Sequence, residues 1–163
     1  MDFNPIDILI VVFLLLISLI QFKDGCIKNI SKTINLVASI ILTNLVISNL
    51  SIQFTFLKKT HDFLYLSSYF IIFIIFMTLL GLICELIIEQ IETLEIPNYL
   101  DITISIAIGL IKGFVLISFL IFIFDTTPSL SKQSRETIYN KVESKSIFFK
   151  PCNNLKEILF NNF

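Results

Sequence analysis

The chain has 163 residues, 55% of them hydrophobic, and a mean hydropathy of +0.88, more apolar character than a soluble domain carries. Twelve basic residues against thirteen acidic ones leave a formal net charge of −1, which excludes a broad basic surface for nucleic acid. Three scattered cysteines, Cys26, Cys84 and Cys152, and the single histidine, His61, form neither a disulfide framework nor a zinc pattern, so neither metal nor cofactor is expected.

The first apolar run covers residues 6–22. No Lys or Arg precedes it and no small-residue cleavage site follows, so it reads as a retained helix and not a secretory signal. Pro5 suits a first helical turn, where its missing N–H does no harm. Asp7 shares that turn, near the positive end of the helix dipole. It is either a helix-start carboxylate or a partner for a distant lysine. Lys23-Asp24-Gly25 ends the helix, with Gly25 free to take the left-handed conformation.

Residues 33–57 carry no charge, and a second span is placed at 34–56. Asn35 and Asn49 are expected at the two membrane interfaces, and Asn44 is the candidate for a hydrogen bond between helices. Lys58, Lys59, His61 and Asp62 mark the next polar loop. A third span covers 63–88, with Tyr65 and Tyr69 placed for an interfacial aromatic belt. Glu85, Glu89, Glu92 and Glu95 recur at helical spacing, so this helix runs past the bilayer with an acidic, solvated stripe that Pro97 ends.

The fourth span, 102–124, organises the rest. Ser105, Gly109 and Gly113 at spacing four put three small residues on one face. Lipid tails are as apolar as leucine, so helices there associate through close backbone approach, which such a face permits. Lys112 lies within the same span. A lysine at the centre of an inserted helix costs about 2.5–3.5 kcal/mol. Two explanations fit: its ammonium snorkels to the interface, or it meets a carboxylate of a neighbouring helix, Asp7 or Glu85. Asp101 stands eleven residues earlier, about 16 Å along the axis, too far to pair.

Residues 126–163 form a polar tail in which Ile138, Val142, Phe149, Leu155, Ile158 and Leu159 recur among basic residues, the pattern of a segment on a membrane surface. Four spans put eight basic residues on the side of both termini and three on the other, which predicts cytoplasmic N- and C-termini and sets Cys26 and Cys152 on opposite sides. The expected fold is an all-α polytopic membrane bundle, residues 1–125, with an amphipathic tail, 126–163. Its surroundings are the lipid bilayer and either membrane-protein partners or further copies of the chain.

These residues resemble the colicin V production protein family of bacteria. Asn-Pro-Ile-Asp7-Ile is similar to its early Asp, and Lys23-Asp24-Gly25 to its basic-Gly turn, with Asp24 inserted. Asp101, Gly109, Lys112 and Gly113 match its fourth span, and Asp125-Thr-Thr-Pro-Ser its following turn. The resemblance implies a multi-pass inner-membrane protein that assists toxin production or export, or envelope homeostasis. The residues themselves leave a second possibility, a small oligomeric transporter or channel built on Lys112 with Asp7, Glu85 and Asp101. A membrane enzyme has the least behind it, since no nucleophile–base pair or acid–base constellation is present and no catalytic residue is named.

Overall fold

The computed structural model describes residues 4–21, 24–53, 62–91, 97–126, 132–143 and 146–161. Lys23, Lys58, Lys59, His61, Glu92 and Glu95 lie outside these. Among the described residues six α-helices follow in order: α1 Pro5–Gln21, α2 Cys26–Gln53, α3 Asp62–Ile91, α4 Asn98–Thr126, α5 Lys132–Glu143 and α6 Phe149–Lys156, the last running on into a π-helical segment, Glu157–Asn161. No strand occurs among the described residues.

Among the described residues three helices contain apolar stretches long enough to cross a membrane: Cys26–Leu50, Leu64–Glu89 and Asn98–Thr126. The fourth expected span, α1, is apolar but has only 17 residues, about 25 Å of rise. The second helix begins at Cys26, eight residues ahead of the expected span at 34, because a carboxylate from α4 caps it there.

Local chemistry sets the ends. Asn4 starts α1: its side-chain oxygen accepts the Ile6 N–H at 3.3 Å and its carbonyl accepts those of Asp7 and Ile8. Gly25, at φ +78°, makes the left-handed turn between α1 and α2. Asn29 reaches back from α2 to the Gln21 carbonyl at 2.6 Å, satisfying an acceptor at the end of α1.

Helix α4 is the hub. It runs antiparallel to α1, with Gly113 against Leu14 and Gly109 against Ser18. Asp101 at its start meets Cys26 at the start of α2, so those two helices run side by side in the same direction. Helix α3 packs antiparallel on α2, where Asn35 donates to the Met77 carbonyl at 3.2 Å. The expectation that Asn35 sits at an interface gives way here, since it is buried between helices. On α2 the buried hydroxyls of Thr33, Ser39 and Thr43 bond to carbonyls one turn back, so this polar face is satisfied within the helix.

Two apolar clusters fill the bundle. The larger joins Ile40 and Ile47 of α2, Tyr69 and Phe73 of α3, Phe119 and Phe122 of α4, and Leu159 and Phe160 of the tail. Tyr69 is fully buried, 4.9 Å from the Phe122 ring, and not in an outward aromatic belt. Tyr69 and Phe73 share one face at spacing four, and that face turns to α4. The smaller cluster joins Ile10 and Leu14 with Ile117, Ile121 and Cys152.

A Cβ built on Gly109 would lie 2.8 Å from the Ser18 Cα, whereas one on Gly113 would lie 2.5 Å from the Leu14 Cδ2, a rotatable methyl. Gly109→Ala is therefore expected to destabilise the bundle by about 1–3 kcal/mol, more than the ~1 kcal/mol alanine gains in helix propensity. Gly113→Ala is expected to be close to neutral. Thermal unfolding of the two variants in detergent checks this, and equal melting temperatures would contradict it.

Candidate functional site

Four carboxylates at the bundle's two ends carry most of its specific polar chemistry. At one end Asp101 accepts the Cys26 N–H at 2.6 Å, capping a helix distant in sequence by 75 residues. The Gly25 turn passes beside it: a Cβ there would lie 3.7 Å from both Asp101 oxygens. Asp24 bonds Lys32 at 2.6 Å, and that ammonium holds its carboxyl below the ordinary carboxylate range.

At the other end Asp7 is buried and gathers the tail. The Ser146 hydroxyl donates to one of its oxygens, and the N–H groups of Ile147 and Phe148 reach it at 3.3 Å each. Ser146 in turn accepts the Phe149 N–H at 3.1 Å. The backbone donors leading into α6 are thus satisfied by a residue of α1, and the first N–H of the helix, that of Phe149, by Ser146, which Asp7 holds. Asp125, near the end of α4, accepts the Tyr139 hydroxyl at 2.5 Å and the Lys156 ammonium at 2.6 Å. Lys156 is nearly buried and lies 5.5 Å from the centre of the Tyr139 ring.

Between these carboxylates the tail enters the bundle. The Ser118 hydroxyl of α4 lies 2.8 Å from the carbonyl of Cys152, which is fully buried. Asn44 of α2 donates to the Leu159 carbonyl, and the Phe160 ring stacks on Phe122 at 4.4 Å. The expectation of a tail lying flat on a membrane surface does not describe residues 146–161. Asn44 bonds between elements as the sequence suggests, but its partner is tail backbone. Leu159 follows the apolar pattern inward, while Ile158 is exposed. No motif in the sequence marks Asp125, Tyr139, Ser146 and Lys156 as one constellation, since they are scattered over 32 positions and Lys156 stands among polar neighbours, Asn153, Asn154 and Glu157.

The residues singled out from sequence divide accordingly. Ser105, Gly109 and Gly113 are all buried, and the two glycines line the seam with α1. Asp7 and Asp101 lie at opposite ends of the bundle, each occupied by backbone N–H groups. Glu85 is exposed on α3. Lys112 is partly buried on α4. The structure does not bring it to Asp7, which the tail occupies. Among the described residues no group of three His, Cys, Asp or Glu could hold a metal. The free cysteines Cys26 and Cys152 belong to opposite ends, one near Asp101 and one under Ser118.

Asp7→Ala removes the acceptor for three donors, and leaving such groups unpaired costs about 1–3 kcal/mol each. The tail is expected to open more often, and Cys152, in a Cys26→Ser/Cys84→Ser background, to react with maleimide at least about tenfold faster, tenfold corresponding to about 1.4 kcal/mol, the low end for the loss of a single acceptor contact. Asp101→Ala is expected to leave that rate unchanged. An unaltered Cys152 rate in the Asp7 variant would show that Asp7 does not hold the tail.

The family described as Colicin V production protein matches residues 6–157, and the chain belongs to it. The match covers all four apolar helices, α5 and α6. No curated protein and no solved structure matches the chain significantly.

Proposed function

We propose that this member of the Colicin V production family crosses the bacterial inner membrane four times, with both termini in the cytoplasm. It serves toxin production or export, or envelope homeostasis, without catalysis, through contacts with other membrane proteins or further copies of itself.

The observation that carries the reading is the course of α1. Its first turn meets the tail, its middle lies on Gly113 and Gly109, and its last residue meets Asn29 near the start of α2. It therefore runs alongside α4 from one bundle end toward the other. Its rise of about 25 Å falls only slightly short of a hydrocarbon core of about 30 Å, a mismatch that local thinning or polar ends absorb. The excess of basic residues on the side of both termini supports the orientation.

Helix contacts fit what the bundle leaves outward. Ile71, Ile74, Ile75, Leu79, Leu82 and Ile83 of α3 are all exposed. Transport has less support: Lys112, Asp7, Asp101 and Glu85 are not gathered along one path, and two of them are occupied by backbone donors.

Reporter fusions check the topology. A fusion after residue 163 is expected to report the cytoplasm and one after residue 93 the opposite side; a C-terminus on the outer side would overturn the orientation. A photo-crosslinker at position 75 is expected to capture protein in cells. Capture of lipid alone would refute the contact reading.

A further inference from the structure

Beyond the Asn35–Met77 contact a groove of about 460 Å³ lies between the first turns of α2 and the last turns of α3. Gly81 forms its floor, where a Cβ would touch the Asn35 amide at 3.4 Å. One wall carries Lys28 and Lys32 from the first two turns of α2, the other Glu85 and Glu89 from the last turns of α3. Opposite charges thus line the two walls of one groove, at the level where both helices approach the end of the bundle marked by Asp24 and Asp101.

We propose that this groove binds the headgroup of a phospholipid that carries a primary amine. A phosphate oxygen accepts strong, charge-assisted hydrogen bonds from lysine ammonium groups. Lys32 spends one N–H on Asp24 and, with three donors, retains others. Two lysines alone would suit any phospholipid. The two glutamates make the difference: they repel a purely anionic headgroup and require a cation that donates hydrogen bonds. A primary ammonium does this, while a quaternary one presents methyl groups. The occupant is a lipid because the groove lies at the ends of two membrane-length helices whose nearby turns expose Ile30, Ile34, Ile83 and Leu86.

The proposal rests on α2 and α3 spanning the bilayer. The test is native mass spectrometry of the full-length protein in detergent with equimolar phosphatidylethanolamine, phosphatidylcholine and phosphatidylglycerol of identical acyl chains. Retention of the ethanolamine lipid is expected to exceed that of either other lipid by about tenfold, the effect of one charge-assisted contact. Glu85→Gln/Glu89→Gln is expected to abolish the preference over the choline lipid, and Lys28→Gln/Lys32→Gln to lower retention of all three. Equal retention by the unaltered protein, which needs no variant to fold, would overturn the proposal, as would a preference that survives the glutamate substitutions. Equal retention of soluble phosphoethanolamine would overturn the lipid source. Headgroup-indifferent lipid adducts would sink this proposal alone, whereas recovery of the chain without detergent would sink the spanning reading beneath it.

Discussion

Every helix start leaves backbone N–H groups without an intrahelical acceptor, and in hydrocarbon no water can supply one. Two such starts in this chain are served by carboxylates from other helices: Asp101 of α4 caps α2, and Asp7 of α1 serves the entry to α6. A buried carboxylate costs several kcal/mol unless donors surround it. Orphan N–H groups at a helix start carry a complementary cost. Bringing the two together removes both at once and fixes which segments must be neighbours. The arrangement at either end of the bundle follows from that pairing.

The forces that hold the two halves of the molecule differ with their solvent. Along the α1–α4 seam, leaving lipid for protein gains little from the hydrophobic effect, so approach at Gly109 and Gly113 supplies the attraction through packing. The tail is more polar than the spans, so its apolar side chains gain more from leaving water. Burying Leu159 and Phe160 is worth about 1.5–3 kcal/mol each by area, and Phe160 adds stacking on Phe122. Polar groups set the direction of entry: Asp125 takes Lys156 and Tyr139, and Asn44 takes the Leu159 carbonyl.

Helix positions were readable because a membrane span is a long uncharged run, and the small-residue face of α4 because spacing four is a local property. The family resemblance rested on Asp7, Asp101, Gly109, Lys112 and Gly113, and the match to residues 6–157 shows that family. The tail was less legible. Apolar residues at helical spacing look alike on a bilayer surface and in a protein groove, and only tertiary partners such as Asn44 and Phe122 decide between them. Tyr69 shows the same limit: its place near the start of α3 suggests an interface, while its face, shared with Phe73, turns it inward. Asp7 could be read as a local helix-start residue or a distant partner. It lies in the first turn of α1, but its distant partner is not Lys112: it is the Ser146 hydroxyl and backbone 140 residues away, which no charge pattern reveals.

Helices α1, α2 and α4 and the tail are tied together by these caps, the glycine seam and the Asp125 contacts. Helix α3 stands apart, joined chiefly to α2 through Asn35 and to the aromatic cluster through Tyr69 and Phe73. Both attachments lie on one side of it, and the other side is apolar and outward. An edge helix so held can shift with modest loss, whereas moving α1 exposes the backbone donors at the start of α6. The chain therefore combines a core whose neighbours are fixed by carboxylates on backbone and side-chain donors with an edge whose surroundings, lipid or protein, are left to the membrane.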